Sequence, residues 1–327
     1  MYEQFYGLRE RPFSLTSHLK YLLLTAKHQE VLSNLEYGIA ENPGMTLVVG
    51  QAGTGKTTLL RKVRDLWTPR APVTAIRWVV MNNPILTPGE FFETLAHELE
   101  LGPACAASKS KLLRALETTL LQQRENGVIT VLVIDEAQSL SDALFEELRL
   151  LTNIEHESEK LLRVVVAGQP ALGERLNEPG LEQVKQRIAL RCVLPALDLR
   201  ETAGYIAHRI SLAGGSPGRV FSREAIIAIH ACSRGVPRTI NVLCDNALLT
   251  GFAADEQPVG PDIVAEVSRD FAFATESGGA AARLPVPLAP PRQNVAAVLG
   301  RTAPADRAVP PASSRRFSFA QFASRRR

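Results

Sequence analysis

The stretch Gly50-Gln51-Ala52-Gly53-Thr54-Gly55-Lys56-Thr57-Thr58 holds the residue types, at the spacing, that a loop cradling phosphate requires. Gly50, Gly53 and Gly55 leave room for successive backbone N–H groups to converge on phosphate oxygens. A helix starting at Lys56 would add its partial positive charge on the same side. Lys56 can then reach the terminal phosphates and the Thr57 hydroxyl can ligate Mg²⁺, while Gln51, Ala52, Thr54 and Thr58 complete the loop around the ligand. A glycine-rich turn beside an unrelated lysine is the plain alternative, and the flanking residues argue against it. Thr46–Val49 is the apolar run of a buried strand, and Leu59, Leu60, Val63 and Leu66 recur at helical spacing. Strand, glycine loop and helix point to binding of a nucleoside triphosphate.

A second constellation lies about 80 residues further on, where the apolar run Val131–Ile134 ends in Asp135-Glu136. An acid at the carboxyl end of a parallel strand faces the crevice in which open α/β sheets bind ligands. Asp135 can hold the Mg²⁺ shell together with Thr57, and Glu136 can orient or deprotonate an attacking water. A glutamate directly after the metal-shell aspartate suits a hydrolase. A small-molecule kinase has no use for an activated water, and the Asn-Lys-x-Asp stretch of GTPases is missing from the sequence. Gln169 directly follows the strand Arg163–Gly168, where it lies beside the terminal phosphate or simply turns the chain before Pro170. Gly235-Val236-Pro237-Arg238 opens a later helix, from which Arg238 can reach back across the cleft.

The elements that must hold these residues alternate. An amphipathic helix is predicted over Tyr21–Ile39, a strand over Val73–Val80, a helix from Thr87 through Leu99 and another over Ser108–Arg124. A strand follows over Val128–Ile134, then a helix over Ser141–Ile154, a strand over Leu162–Ala167, a short helix near Ala171–Leu176 and a last strand over Arg191–Leu194. Strands alternating with helices predict an α/β fold with a parallel sheet covered on both faces. From Leu199 the strand signals stop, and four helices are predicted over Leu199–Ala213, Ser222–Cys232, Pro237–Phe252 and Gly260–Phe271. The expected organisation is a nucleotide-binding α/β domain over 1–196, a small helical lid over 197–273 and a basic tail over 274–327.

Composition is that of an ordinary globular protein, with 45% hydrophobic and 22% charged residues. The four cysteines form no C-x-x-C pair, which argues against a zinc site or disulfide framework, and the six dispersed histidines read as surface or packing residues. No secretory leader and no apolar run of membrane-spanning length are seen, so a soluble cytoplasmic protein is expected. Charge is uneven. Residues 275–327 carry nine arginines against Glu276 and Asp306, a net of +7, so the remainder carries −4 of the chain's +3. Seven prolines and long alanine, glycine and serine stretches predict disorder there. Such a tail suits contact with nucleic acid, an acidic partner or anionic lipid, or is a solvated extension that touches nothing specific.

Together the phosphate loop, Asp135-Glu136, Gln169 and Gly235-Val-Pro-Arg238 resemble the AAA+ ATPases. The opening Phe5-Tyr-Gly-Leu-Arg-Glu-Arg-Pro-Phe-Ser-Leu-Thr16, with Asp135-Glu-Ala-Gln138 and Gln186-Arg187, is similar to the ExeA (general secretion pathway protein A) group over about residues 1–273. That group includes ATPases accompanying exopolysaccharide and exosortase systems and is similar to the MuB and TniB transposition ATPases. The resemblance implies ATP and Mg²⁺ as ligands and a homo-oligomer whose sites are shared between subunits, each completed by an arginine from its neighbour. Arg187 and Arg191, just before and at the last core strand, stand where the resemblance expects that arginine. Arg187 is favoured, and each has the ordinary alternative of a surface or salt-bridging arginine. It also implies that the N-terminal segment and the Tyr21–Ile39 helix enclose the adenine, and that Arg238 is the sensor arginine of the lid. It implies protein partners in an envelope, export or polysaccharide system, the alternative being a DNA-binding regulator of transposition. A signalling switch with negligible turnover would share the fold without needing Glu136. Secretion-pathway members typically continue into a membrane span and a peptidoglycan-binding domain. The basic tail found instead makes direct cell-wall contact unexpected.

Overall fold

Met45–Gly50 (β1) is buried along its whole length, which a strand achieves only when both faces of its sheet are covered. The computed structural model describes residues 1–14, 19–67, 75–82, 85–102, 108–157 and 159–271. Around β1 lie Ala75–Met81 (β2), Val128–Ile134 (β3), Leu162–Gly168 (β6) and Ile188–Leu194 (β7), while Glu155–His156 (β4) and Glu159–Lys160 (β5) form a separate short antiparallel pair. The main sheet is wholly parallel, in the order β2-β3-β6-β1-β7. Alternate side chains divide between its faces. Leu47, Val49, Leu132 and Val164 meet the helices Pro88–Glu98, Lys109–Glu125 and Asp142–Leu151. Val48, Val131, Val133 and Val165 meet Val31, Leu35, Leu59 and Val63 of the helices Ala26–Glu41 and Lys56–Trp67.

The predicted helices and strands are present, with boundary shifts that have local causes. The helix expected from Tyr21 starts at Ala26, because the Thr25 side chain accepts from the His28 backbone N–H and caps it there. Thr87 and Glu90 form a reciprocal capping box, and the Ser141 and Ser222 hydroxyls cap as expected. The last strand begins at Ile188 rather than Arg191, so that it includes the apolar Ile188-Ala189-Leu190, half-buried or exposed at a sheet edge. Short helices at Tyr2–Phe5, Glu182–Gln186 and Pro217–Val220 lie below what periodicity can detect. The predicted Val73 start of β2 and the tail from 274 onward fall outside the described residues.

Helices Leu199–Leu212, Arg223–Ser233, Pro237–Ala253 and Pro261–Asp270 share a core of their own. That core also takes in Tyr2, Tyr6, Leu8 and Phe13 from the beginning of the chain, residues that the sequence reading had grouped with the α/β region. Tyr2 donates to Asp245, and the Tyr6 hydroxyl donates to the Glu256 carbonyl at 3.1 Å.

The crossing from sheet to helices is held by Gly235. Its carbonyl accepts from Leu197 N–H at 2.9 Å, its φ is +72°, and a methyl group on it would lie 1.9 Å from the Leu197 carbonyl oxygen. Left-handed strain and overpacking then act together, so Gly235→Ala should cost about 2–4 kcal/mol. Urea unfolding of the variant beside the native chain checks this value.

Candidate functional site

All five strands of the parallel sheet present their carboxyl ends at one edge, and the loop Gly50–Gly55 leaves β1 there. Gly53 and Gly55 have φ of +81° and +103°, conformations that other residues rarely adopt. The Thr54 side chain is buried and its Oγ1 donates to the Gln51 carbonyl at 2.8 Å, while Gln51 and Ala52 form the exposed turn. Lys56 Nζ donates to the Gly50 and Gln51 carbonyls at 2.9 and 3.1 Å. Burial pushes its pKa down, and the charges of Glu136 and Asp135 oppose that shift.

Asp135 sits one residue beyond β3, buried, with both carboxylate oxygens engaged. Oδ2 accepts from the Thr57 hydroxyl at 2.5 Å and Oδ1 accepts from Glu136 N–H at 2.9 Å. A hydroxyl and a carboxylate in contact fit Mg²⁺, which keeps several waters and takes phosphate oxygens rather than filling an all-protein cage. No group of three or more His, Cys, Asp or Glu that could hold a metal occurs among the described residues.

Glu136 adopts φ +53° and ψ +37°, a left-handed conformation that is uncommon outside glycine and that turns its side chain away from the strand direction. Its Oε2 accepts from Gln138 Nε2 at 2.6 Å and from Gln169 Nε2 at 3.4 Å. The Gln138 hydrogen bond holds this carboxyl below the usual glutamate range. Burial opposes the shift, and Gln169 and the Lys56 charge assist it. Gln138 Oε1 in turn accepts from the Gln169 backbone N–H at 3.0 Å, so one amide spans the two loops. Arg175 braces the same turn by donating to the Gln138 and Leu140 carbonyls at 3.0 and 2.8 Å. Gln169 is also the N-cap residue of helix Pro170–Arg175, so it turns the chain before Pro170 while its side chain reaches Glu136.

The lid closes one side of the cleft. Arg238 N–H donates to the Gly53 carbonyl at 3.3 Å, and a methyl on Gly53 would lie 2.7 Å from Arg238 Cβ. Between loop, lid and N-terminal segment lies a cavity of about 340 Å³, lined among others by Thr54, Lys56, Thr57, Thr58, Glu136 and Arg238. Tyr21, Leu22 and Leu23 form another wall. His28, read from sequence as a surface or packing residue, is buried and lines the same cavity. Its Nδ1 lies 2.8 Å from the Thr25 hydroxyl, and the ring hydrogen-bonds the Thr54 backbone. Burial lowers its pKa, with Glu201 and the Thr54 bond opposing, and the neutral ring serves both neighbours. A histidine three residues past a threonine cap carries no sequence signal for such a contact.

Two candidates stand away from this cluster. Arg187 lies at the amino end of β7, where its carbonyl accepts from Met45 N–H at 2.8 Å. That is the opposite end of β1 from Gly50, roughly 17 Å away at the rise of a strand. Arg191 lies at mid-strand opposite Leu47, its guanidinium packed over Gly173.

The chain is 38% identical over 254 residues to general secretion pathway protein A of Aeromonas hydrophila, an alignment covering 77% of this chain and 45% of that protein. A family described as an AAA domain matches residues 39–176. The chain thus carries an AAA domain and is similar to general secretion pathway protein A over most of its own length. It spans under half the length of that relative. Its fold is shared with the Orc1 protein of Aeropyrum pernix, with TM-score 0.61 at 21% identity over 81% of this chain and 70% of that one. Cdc6p of Pyrobaculum aerophilum is similar at TM-score 0.58 and 18% identity, over 79% of this chain and 70% of that one. No helix among the described residues is long and apolar enough to cross a membrane.

The amide clamp yields a pH-dependent consequence. Gln138→Leu removes the main cause that lowers the Glu136 pKa, so the carboxyl should protonate at higher pH. The acid limb of the kcat profile for ATP hydrolysis should therefore move to higher pH. An unmoved limb would separate Gln138 from the ionisation of Glu136.

Proposed function

We propose that this ATPase works at the cleft between the Gly50–Thr58 loop and the lid. In this reading Glu136 orients and deprotonates the attacking water, and Arg238 links the lid to the terminal phosphate. The observation that carries the reading is the meeting of four separate chain segments at one edge. They contribute Lys56 and Thr57, Asp135 and Glu136, Gln169, and Arg238 seated on Gly53. Thr57 and Asp135 would hold Mg²⁺, which when bound neutralises phosphate charge. Gln138 and Gln169 keep the Glu136 carboxylate ionised and aimed, and Lys56, already poised on the loop carbonyls, supplies positive charge to the phosphates.

Glu136→Gln should keep ATP affinity within a few-fold while reducing turnover by roughly 10²–10⁴-fold, the usual worth of a positioned base. Lys56→Ala should weaken ATP binding itself. Calorimetric affinity and phosphate release measured side by side distinguish the two, and undiminished release by Glu136→Gln would remove that residue from the mechanism.

Subunits are proposed to share sites. Arg187 is too far from its own phosphate loop to act there, whereas an arginine on the far rim of the sheet is placed to serve a neighbour. Arg191, packed over Gly173, is the less free of the two. Arg187→Ala and Lys56→Ala chains, each inactive alone, should recover a fraction of the native rate when mixed, because hybrid contacts pair one intact half from each. Sizing chromatography with a nonhydrolysable ATP analogue should show growth beyond a monomer. A monomer hydrolysing ATP at full rate would end the shared-site reading.

In the cell we place this cycle in an envelope, export or polysaccharide system, where nucleotide state drives assembly of a protein partner. The support is the 38% identity to general secretion pathway protein A. The chain is proposed to act at the cytoplasmic side of that system.

A further inference from the structure

Behind the lid wall of the cleft runs a chain of three polar side chains, Arg209, Tyr205 and Asn241, each at most 8% exposed. All three line the cavity. Arg209 lies against the rings of Phe13, Tyr21 and Tyr205, with the guanidinium carbon 5.9, 4.8 and 5.3 Å from their centroids. It donates to the Pro12 and Ser14 carbonyls at 2.5 and 3.4 Å and to the Tyr205 hydroxyl at 2.6 Å. The Tyr205 hydroxyl lies 3.0 Å from Asn241 Oδ1.

Donor and acceptor counting gives this chain a direction. A guanidinium only donates, so the Tyr205 oxygen must accept from it. The phenolic hydrogen is then left to donate to Asn241, whose only acceptor is its amide oxygen. The Asn241 NH₂ must therefore point elsewhere. Asn241 lines the cleft, and the cleft is the open space toward which that nitrogen can point. Asn241 also stands one turn beyond Arg238 on the same helix, on the face that holds the phosphate loop.

We infer that Asn241 is a nucleotide-recognition residue. Its amide is locked by Tyr205 and Arg209 to present a hydrogen-bond donor to an acceptor on the nucleoside, a purine ring nitrogen or a ribose oxygen. Tyr205 and Arg209 are positioning residues that act through it. Because Arg209 also grips the Pro12 and Ser14 carbonyls, the orientation of this donor depends on the N-terminal segment being seated in the lid. The inference rests on the cleft being the nucleotide site.

The test is calorimetric binding of ATP, ADP, 2′-deoxy-ATP, 7-deaza-ATP, 3-deaza-ATP, 1-deaza-ATP and inorganic triphosphate to the full chain and to Asn241→Asp, Asn241→Leu and Tyr205→Phe. Asn241→Asp replaces the donor by an acceptor, and about tenfold weaker binding of ATP and ADP alike is expected, since both carry the nucleoside. Asn241→Leu should lose a similar factor and Tyr205→Phe a smaller one, with inorganic triphosphate unaffected in each. The acceptor is the atom whose removal from the ligand weakens binding to the native chain but not to Asn241→Leu. ATP and ADP affinities within twofold of native in Asn241→Leu would overturn the inference. So would loss for ATP but not ADP, or an equal loss for inorganic triphosphate, either of which places Asn241 at the phosphates. Tyr205→Phe, which deletes one oxygen, carries the same comparison should the Asn241 variants fail to fold. Failure of the native chain to bind ATP at all would instead refute the nucleotide site itself.

Discussion

The site depends on one constraint, the register in which β1 is gripped between β6 and β7. Val49 lies opposite Gly168 on one side, and Gly50 lies opposite Leu194 on the other. Because every strand of the sheet is parallel, that register brings the ends of β1, β3 and β6 to the same edge. The glycine loop, the Asp135-Glu136 pair and Gln169 therefore arrive together without any of them being near in sequence. Close approach is part of the design. A methyl on Gly50 would lie 2.6 Å from the Leu194 carbonyl, and one on Gly168 would lie 2.5 Å from Leu172. A register slip of one residue would send the valines of each strand to the wrong face as well as dispersing the acids. The same parallelism sends Arg187 to the opposite rim, which is why a residue so close to the core strands in sequence has no route to its own site.

A second layer of control comes from the beginning of the chain. Tyr2, Tyr6, Leu8 and Phe13 are built into the lid core, and the chain then crosses the cleft through Tyr21–Leu23 to the helix capped by Thr25. Arg209 anchors that crossing. A buried guanidinium is costly, and here two backbone carbonyls, a phenol and three ring faces take the place of water. The lid is thus joined to the α/β part through Arg238 on Gly53 and through the N-terminal segment, while the Leu197–Gly235 contact fixes the crossing between them. Arg238, Leu197 and Tyr21–Leu23 all border the cleft, so a shift of the lid would be felt there. On the α/β side, His28 bridges the cap at Thr25 to the Thr54 backbone.

Local signals were the legible ones. A phosphate loop is a contiguous run whose glycines are dictated by its own backbone, and the run from Gly50 to Thr57 declares itself for that reason. Apolar strands buried on both faces and helices with hydroxyl caps carry their patterns within a few residues. Thr87, Ser141 and Ser222 accordingly mark helix starts that the structure repeats. The helix expected from Tyr21 was misplaced because apolar spacing continues through Leu24, whereas the cap at Thr25 decides where the backbone turns helical. The edge strand was read short because Ile188-Ala189-Leu190, directly after a short helix, is an apolar run too brief to show a strand period of its own.

The sequence by itself determined the glycine loop, the acid pair beyond β3, the alternation of strands and helices, and the resemblance to AAA+ ATPases. Tertiary structure alone decided that Gln138 clamps Glu136 to Gln169, that a histidine reaches the loop, and that residues 2–13 belong to the lid core. It alone decided that Arg187 lies at the opposite rim of the sheet from the Gly50–Gly55 loop. The division has a physical cause. Backbone conformation and burial periodicity are written into neighbouring residues, whereas a hydrogen bond between segments 30 or more positions apart, such as Gln138 to Gln169, exists only once the sheet register has brought them together.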